Sequence, residues 1–155
     1  VLMGWDLVAP AICMAQSMID EFTARIIGTS GPGRTADSPA IHLRLSEAAA
    51  EVDAAMALMR SDIREMFEIA HVGGPFTPLG RARFRRDKAF VVQLGLRAVN
   101  RLFDLSGGHA LFDSVVIQRI HRDMQAAVHR DGLIMDLGGQ QYGRVALGLD
   151  PDQRI

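Results

Sequence analysis

Two histidines and an Arg-Asp pair lie close together between residues 121 and 129. Imidazole exchanges protons near neutral pH, so these side chains are capable of catalysis. The eight positions from His121 to His129 correspond to a rise of about 12 Å along an α-helix. One metal ion cannot bridge that distance, and the sequence has neither an HExxH motif nor a Cys/His pair. We therefore expect no metal site.

A Gly-Gly pair precedes these residues and directly follows a helical pattern that ends at Leu105. Gly107 is suited to the left-handed conformation that ends many helices, and Gly108 allows another group to approach the backbone closely. Asp113 or Ser114 is a suitable N-cap for the next helix. The apolar positions of that helix recur every three or four residues: Val116, Ile117, Ile120, Met124, Ala127 and Val128.

Helical periodicity extends over most of the remaining chain, and strand-like alternation is almost absent. Pro39 at the start of one pattern and Gly28 at the end of another are typical helix boundaries. The fold predicted is an all-α antiparallel four-helix bundle with an extra C-terminal helix, in a single domain over residues 1–155. The five predicted helices span residues 2–27, 39–72, 81–105, 115–130 and 133–149.

The composition excludes several classes of protein. A formal net charge of −1 argues against nucleic acid as the main partner. The single cysteine, Cys13, excludes a disulfide scaffold, suits the reducing cytoplasm and is predicted to be a buried, inert thiol. No apolar run reaches the roughly 18–20 residues of a membrane span, and the N-terminal stretch lacks the basic region of a signal peptide.

Two polar segments separate or begin helices. Residues 28–39 read as a loop, which we expect to be disordered or to meet another subunit. Residues 81–88 carry five basic side chains near a helix N-terminus, where the helix dipole disfavours cations. This segment is either a solvated helix start or a surface that faces an anion, such as a carboxylate of another subunit or a flavin phosphate.

The segment from 97 to 129, with YGRVALGLDP after it, resembles the C-terminal domain of the oxygenase components of two-component flavin-dependent monooxygenases. These enzymes are built on the acyl-CoA dehydrogenase fold. The resemblance is carried by the order Ser-Gly-Gly, then Arg-Asp, then a histidine six residues beyond the aspartate. It extends more weakly over the earlier helices. It implies a C-terminal domain of a longer three-domain protein, in which a helical domain and a β domain come first.

The resemblance also implies a site. The counterpart of His129 is thought to act as the base that deprotonates a phenolic substrate beside the flavin, and a phenolate ring carbon attacks activated oxygen far better than a neutral phenol. The cofactor-binding residues implied are Ser106, Gly107, Gly108 and Arg122. A structural histidine at 129, a plain helix cap at 106–108 and a structural Arg122–Asp123 ion pair are the competing interpretations.

The function implied is hydroxylation of an aromatic or similar small substrate by O₂ and reduced flavin, FMN or FAD, from a separate flavin reductase. A cytoplasmic homo-oligomer, dimer or tetramer, is implied with it. One alternative is an acyl-CoA dehydrogenase-like FAD oxidoreductase, which uses a carboxylate base; the region around His129 has no glutamate. The other alternative is a helical oligomerisation module that has no activity of its own.

Overall fold

The structure, a computed structural model, describes residues 4–28 and 35–151. Five α-helices and two short 3₁₀ turns, Thr35–Asp37 and Gly108–Leu111, account for most of these residues, and neither range contains a β-strand. The prediction of an all-α fold is confirmed. The helices are α1 (Trp5–Gly28), α2 (Pro39–His71), α3 (Pro78–Leu105), α4 (Val116–Val128) and α5 (Met135–Ala146).

Helix boundaries follow local sequence signals in some places and not in others. Both α2 and α3 begin at a proline, and the Thr77 hydroxyl accepts a 3.0 Å hydrogen bond from the Gly80 amide. The prediction of a side-chain cap at Asp113 or Ser114 is wrong: Val115 is the N-cap of α4 and makes no side-chain cap bond. Of the loop predicted over 28–39, residues 29–34 lie outside the described ranges.

Helix α3 is the central helix, because it packs against each of the other four. Its buried side chains face in several directions, and Ala89, Val91, Val92, Ala98, Val99 and Leu102 are fully buried. Pairs between α2 and α3 run in opposite order along the two helices, from Glu47–Arg101 to Glu65–Arg83, so the two are antiparallel. The pairs Asn100–Gln125 and Phe103–His121 show the same for α3 and α4.

Two glycines allow helices to approach α3 closely. A Cβ at Gly95 would lie 3.0 Å from Met124 Cε and 3.4 Å from Ala15 Cβ, so α1 and α4 both press on this position. A Cβ at Gly138 would lie 3.1 Å from the carbonyl oxygen of Arg85. Because that neighbour is backbone, it cannot move aside as a side chain would. Gly138 therefore sets the distance between α5 and α3.

A pair of aspartates is buried where α2 meets α3. The exposed fractions of Asp62 and Asp87 are 1% and 2%. Arg86 donates to Asp87 Oδ1 at 2.7 Å, whereas the nearest Arg83 nitrogen lies 3.8 Å from Asp62 Oδ1. Burial, together with the charge of Asp87, raises the pKa of Asp62 to about 7. Asp62 Oδ2 has no other hydrogen-bond partner among the described residues, and a hydrogen bond with the Asp87 carboxyl group contributes to the raised pKa of Asp62.

The basic segment at 81–88 faces carboxylates of its own chain. Arg83 pairs with Glu65 of α2 at 2.6 Å, and Arg86 pairs with Asp87 and stacks over Tyr142 of α5, 4.1 Å from the ring centroid. For these two arginines the interpretation as a solvated helix start is wrong. The anions that they meet lie on α2 and α3, not on another subunit.

The prediction for Cys13 is wrong, because its thiol is exposed on α1. Trp5, the first residue of α1, is buried as a packing residue. Within the described ranges, none of the helices has both the length and the apolar character needed to cross a membrane.

Replacing Asp62 by asparagine should remove a pH dependence of stability. Folded Asp62 keeps its proton up to about pH 7, whereas unfolded aspartate releases it near pH 4. The folded state binds more protons between these values, so its free energy of unfolding should fall as pH rises through this window, by roughly 1 kcal/mol per pH unit or less. In Asp62→Asn that fall should be absent, as measured by urea denaturation between pH 5 and 8.

Asp53→Asn is the matched control for this substitution, because Asp53 is exposed on the same helix. It should keep the pH profile of the wild type. An Asp62→Asn variant whose profile follows the wild type would show that the aspartate pair does not share a proton.

Alanine substitutions at two glycines of α5 should have opposite effects on the free energy of unfolding. Gly138→Ala should lower the free energy of unfolding by about 1–3 kcal/mol, because the added methyl group meets the α3 backbone. Gly143→Ala should raise it by about 0.5–1 kcal/mol, since no atom lies within 4 Å of the added Cβ and alanine favours a helix. Urea denaturation of both variants measures this; equal effects would contradict the packing described for α5.

Candidate functional site

His129 lies at the C-terminal end of α4, where it is the C-cap residue. It is exposed, and the backbone amide of the next residue, Arg130, donates to the carbonyl oxygen of Ala127 at 3.3 Å. The helix ends here without a glycine, and the chain turns at residues 130–134 before α5 begins. The imidazole is therefore held at the end of a rigid helix but is accessible to another molecule.

A surface cavity of about 470 Å³ opens beside His129, between α3, the end of α4 and the start of α5. Its walls combine apolar and polar side chains in similar amounts. The lining residues are Gln93, Leu96, Gln125, Val128, His129, Ile134, Met135 and Asp136. A cavity of this kind can hold part of a small ring on its apolar surface while its polar groups contact the ring substituents.

Gln125 belongs to a polar network one turn before His129. Its side-chain amide nitrogen donates to Asn100 Oδ1 of α3 at 2.9 Å and lies 3.3 Å from His121 Nε2. The hydrogen bond to Asn100 ties α4 to α3. Asn100 and the role of Gln125 were not found from the sequence, although Gln125 shares a helix face with His121 and His129 at four-residue spacing.

His121 is a packing residue in this network rather than a second base at the cavity. Its ring stacks on Phe103 of α3, with centroids 3.9 Å apart and planes 11° apart. Burial lowers its pKa, and the nearby Asp104 carboxylate opposes that shift. The imidazole is therefore neutral at neutral pH, and its Nε2 can accept the hydrogen bond from Gln125.

The Ser-Gly-Gly segment forms the C-terminal end of α3. The Ser106 hydroxyl is buried and donates to the carbonyl oxygen of Leu102 at 2.8 Å. Gly107 has a φ of +66°, in the region that favours glycine, so part of this segment does serve as a helix end. Gly107 and Gly108 are exposed, and a Cβ added to either would meet no atom within 4 Å.

A second cavity, of about 290 Å³, lies against this segment. It is bounded by the last turns of α1 and α3, and its polar lining comprises the Arg25 guanidinium, hydroxyl groups and glycine backbone. The lining residues are Phe22, Arg25, Ile26, Thr35, Leu105, Ser106 and Gly107. Of the four cofactor-binding residues predicted, the structure brings Ser106 and Gly107 to this cavity and places Gly108 next to them.

Arg122 lies apart from both cavities. Its side chain is 63% exposed, and its Nε lies 3.5 Å from Oδ1 of the neighbouring Asp123. The pair joins two consecutive residues on the surface of α4, so it does not hold the last helices together. An exposed ion pair of this kind contributes at most about 1 kcal/mol of stability. The Arg122 side chain is thus available to another molecule on the outer face of the bundle.

The two cavities lie at different levels along α3. Leu96 lines the His129 cavity and Ser106 lines the second one, and ten helical residues between them correspond to about 15 Å. Across the described ranges, no group of three or more His, Cys, Asp or Glu residues is arranged to hold a metal ion. The predicted base and the predicted cofactor segment are therefore separate parts of the surface of one chain.

Comparison with known proteins gives a family for this chain. A family profile described as "Acyl-CoA dehydrogenase, C-terminal domain" matches residues 6–131. The FADH(2)-dependent resorcinol hydroxylase, oxygenase component, of Rhizobium sp. is 37% identical over 125 residues, which are 78% of this chain and 31% of that protein. The flavin-dependent monooxygenase, oxygenase subunit HsaA, of Mycobacterium tuberculosis is 32% identical over 90 residues, 58% of this chain and 23% of that protein.

A solved structure shows the same fold. The 3-HSA hydroxylase from Rhodococcus sp. RHA1 superimposes with a TM-score of 0.86 at 23% identity, over 95% of this chain and 39% of that chain. The chain thus spans about a third or less of the length of the curated relatives described above. The profile covers α1 to α4 and includes His129 at its end. This chain belongs to the family of acyl-CoA dehydrogenase C-terminal domains.

Proposed function

We propose that this chain is the C-terminal helical domain of a three-domain oxygenase component of a two-component flavin-dependent monooxygenase. The enzyme hydroxylates a phenolic or similar small aromatic substrate with O₂ and reduced flavin. The observation that carries this proposal is the position of His129, an accessible imidazole at the end of α4 and on the wall of a cavity. The names of the relatives, an oxygenase component and an oxygenase subunit, support the same function.

His129 is the residue to which we assign proton transfer. Its imidazole takes the proton of the substrate hydroxyl, and the resulting negative charge makes the ring carbon a better nucleophile toward the activated oxygen. A helix end is a rigid support for such a group. The dehydrogenase alternative needs a carboxylate base, and the position held by His129 at the end of α4 does not supply one.

We assign flavin binding to the Ser-Gly-Gly segment of this chain. Exposed glycine backbone beside Arg25 and Thr35 fits an anionic or polar part of a flavin nucleotide, because nothing blocks close approach to Gly107 or Gly108. Arg122 is a candidate for a second contact from the outer face of α4. Reduced flavin, supplied by a separate reductase, would provide the activated oxygen; the FADH(2) dependence of the Rhizobium relative favours FAD.

The separation of about 15 Å between the two cavities favours a shared site between subunits. The glycine segment would contact flavin bound to a neighbouring subunit, while His129 would serve the substrate of its own subunit. Large apolar side chains next to the glycine segment support an interface there, since Leu111 is 67% and Phe112 is 62% exposed. We therefore propose a homo-oligomer, a dimer or a tetramer, and cytoplasmic localisation.

Replacing the proposed base should uncouple the full-length enzyme. In His129→Ala, reduced flavin should still bind and react with O₂, but hydroxylated product should fall by roughly 10²- to 10⁴-fold and hydrogen peroxide should appear instead. Raising the pH toward the pKa of the phenol should restore part of the rate, because solvent then supplies the phenolate. Product and peroxide yields per reduced flavin measure this effect.

His71→Ala is the control for this experiment, because His71 is exposed at the end of α2, away from the cavity. Its coupling should equal that of the wild type. If His129→Ala retains full coupling, or if both variants lose hydroxylation equally, His129 is not the base.

A charge in the proposed interface should weaken assembly. Phe112→Glu should shift the full-length enzyme toward smaller species in light scattering at micromolar concentration, because an exposed apolar contact would be replaced by a carboxylate. Phe67→Glu, at a 58% exposed phenylalanine on α2, is the matched control and should leave the mass unchanged. A wild-type enzyme that is already monomeric would contradict the proposed oligomer.

A further inference from the structure

We propose that Gln125 is a substrate-binding residue that selects aromatic rings carrying a second hydroxyl group, apart from the hydroxyl that His129 deprotonates. This inference rests on the proposed function and adds the class of substrate. It assigns the cavity beside His129 to a neutral ring with at least two hydroxyl groups, in preference to a phenol that carries a carboxylate.

The hydrogen-bond contacts of the Gln125 side-chain amide indicate which of its atoms faces the cavity. An amide nitrogen has two hydrogens. The Nε2 atom of Gln125 donates to Asn100 Oδ1 at 2.9 Å and lies 3.3 Å from His121 Nε2, so the NH₂ group of the amide is directed toward these two side chains. The carbonyl oxygen Oε1 is then the group that Gln125 can offer to a molecule in the cavity that it lines.

The network also prevents the amide from turning over. Asn100 Oδ1 accepts only, and the ring of His121 is fixed by its parallel stack on Phe103. Burial lowers the pKa of His121, which favours the neutral ring, and the tautomer with its proton on Nδ1 presents Nε2 to Gln125 as an acceptor. With that tautomer, a flipped amide would place its oxygen against two acceptors. Gln125 therefore presents a hydrogen-bond acceptor, and its ligand must supply a donor.

The other polar side chains that line the cavity also favour a ligand that donates hydrogen bonds. Asp136 adds a carboxylate at the start of α5, and the described residues that line this cavity include no lysine or arginine. A carboxylate on the substrate would meet acceptors and a like charge here, which costs binding free energy. A hydroxyl group can donate to either residue. The cavity thus favours neutral rings with several hydroxyl groups.

The distance between the two polar groups fits two separate substituents. Gln125 and His129 lie one turn apart on α4, a rise of about 6 Å. A ring with two hydroxyl groups can therefore place one of them at His129 and the other at Gln125. Rejection of a substrate that lacks the second hydroxyl follows from an unpaired acceptor in the site.

The test compares resorcinol with 3-methoxyphenol, which has the same ring but no second donor, in the full-length enzyme with its reductase. The wild type should favour resorcinol in kcat/KM by at least about tenfold. In Gln125→Leu this ratio should fall toward one. Gln125→Glu keeps an acceptor and should retain most of the preference. Asn100→Leu should also lower the ratio, since the amide is then free to turn.

Gln118→Leu is the matched control, because it makes the same change on α4 but does not line the cavity. It should keep the ratio of the wild type. If the wild type hydroxylates both phenols with equal kcat/KM, or if Gln125→Leu keeps the preference, the inference is overturned while the proposed function stands. If reduced flavin yields only hydrogen peroxide with either phenol and with 3-hydroxybenzoate, the proposed function fails, and this inference fails with it.

Discussion

The contact of α3 with the four other helices is the constraint on which the rest of this fold depends. A helix that packs against four others has little surface left for solvated charges, yet α3 carries Arg83, Arg86 and Asp87 in its first turns. Each of these finds a partner inside the chain, on α2, on α3 itself or on the aromatic ring of α5. The pKa of Asp62, raised to about 7 by burial and by the charge of Asp87, fits this arrangement, because below that pH one of the two buried carboxyl groups is neutral.

The same helix divides the functional surface into two parts. Its middle turns contribute Gln93 and Leu96 to the cavity at His129, and its last turn presents the glycines. Because a helix is stiff over this length, the separation of the two regions is a fixed property of the domain. A reaction that uses both regions therefore needs a long cofactor or a second subunit. The exposed apolar residues beside the glycines favour the second subunit.

Much of the fold was predictable because long helices with apolar stripes and proline starts carry strong local signals. The five helices, their order and the ends near Gly28 and Leu105 agree with the predicted ranges to within a few residues. The cap at Asp113 or Ser114 was not predictable, since a capping side chain competes with tertiary packing that the sequence does not display. Cys13 was assigned to the core from its apolar neighbours, although it lies on the outer face of its helix.

The candidate site was less predictable than the fold. His129 was chosen through its resemblance to a family motif. Gln93 and Asn100 come from α3 and Asp136 from α5, and their approach to Gln125 of α4 depends on how these helices pack. The buried aspartates could have been found, because Asp62 falls in register with Val52, Ala55 and Met66 on the inner face of α2. A charged residue at a core position is a signal that composition and charge counts overlook.

The antiparallel arrangement of α2 and α3 has a consequence for how the chain folds. The two helices are neighbours in sequence, and the connection between them spans only residues 72–77. Their ion pairs and the aspartate pair join residues of one helical hairpin, so they can form before distant parts of the chain meet. By contrast, α1 packs on α3 and α4, which lie far from it in sequence, and this contact requires the larger loop closure. We therefore expect the hairpin to belong to the folding nucleus, with α1 docking late, and acid conditions that keep Asp62 protonated to speed the first step.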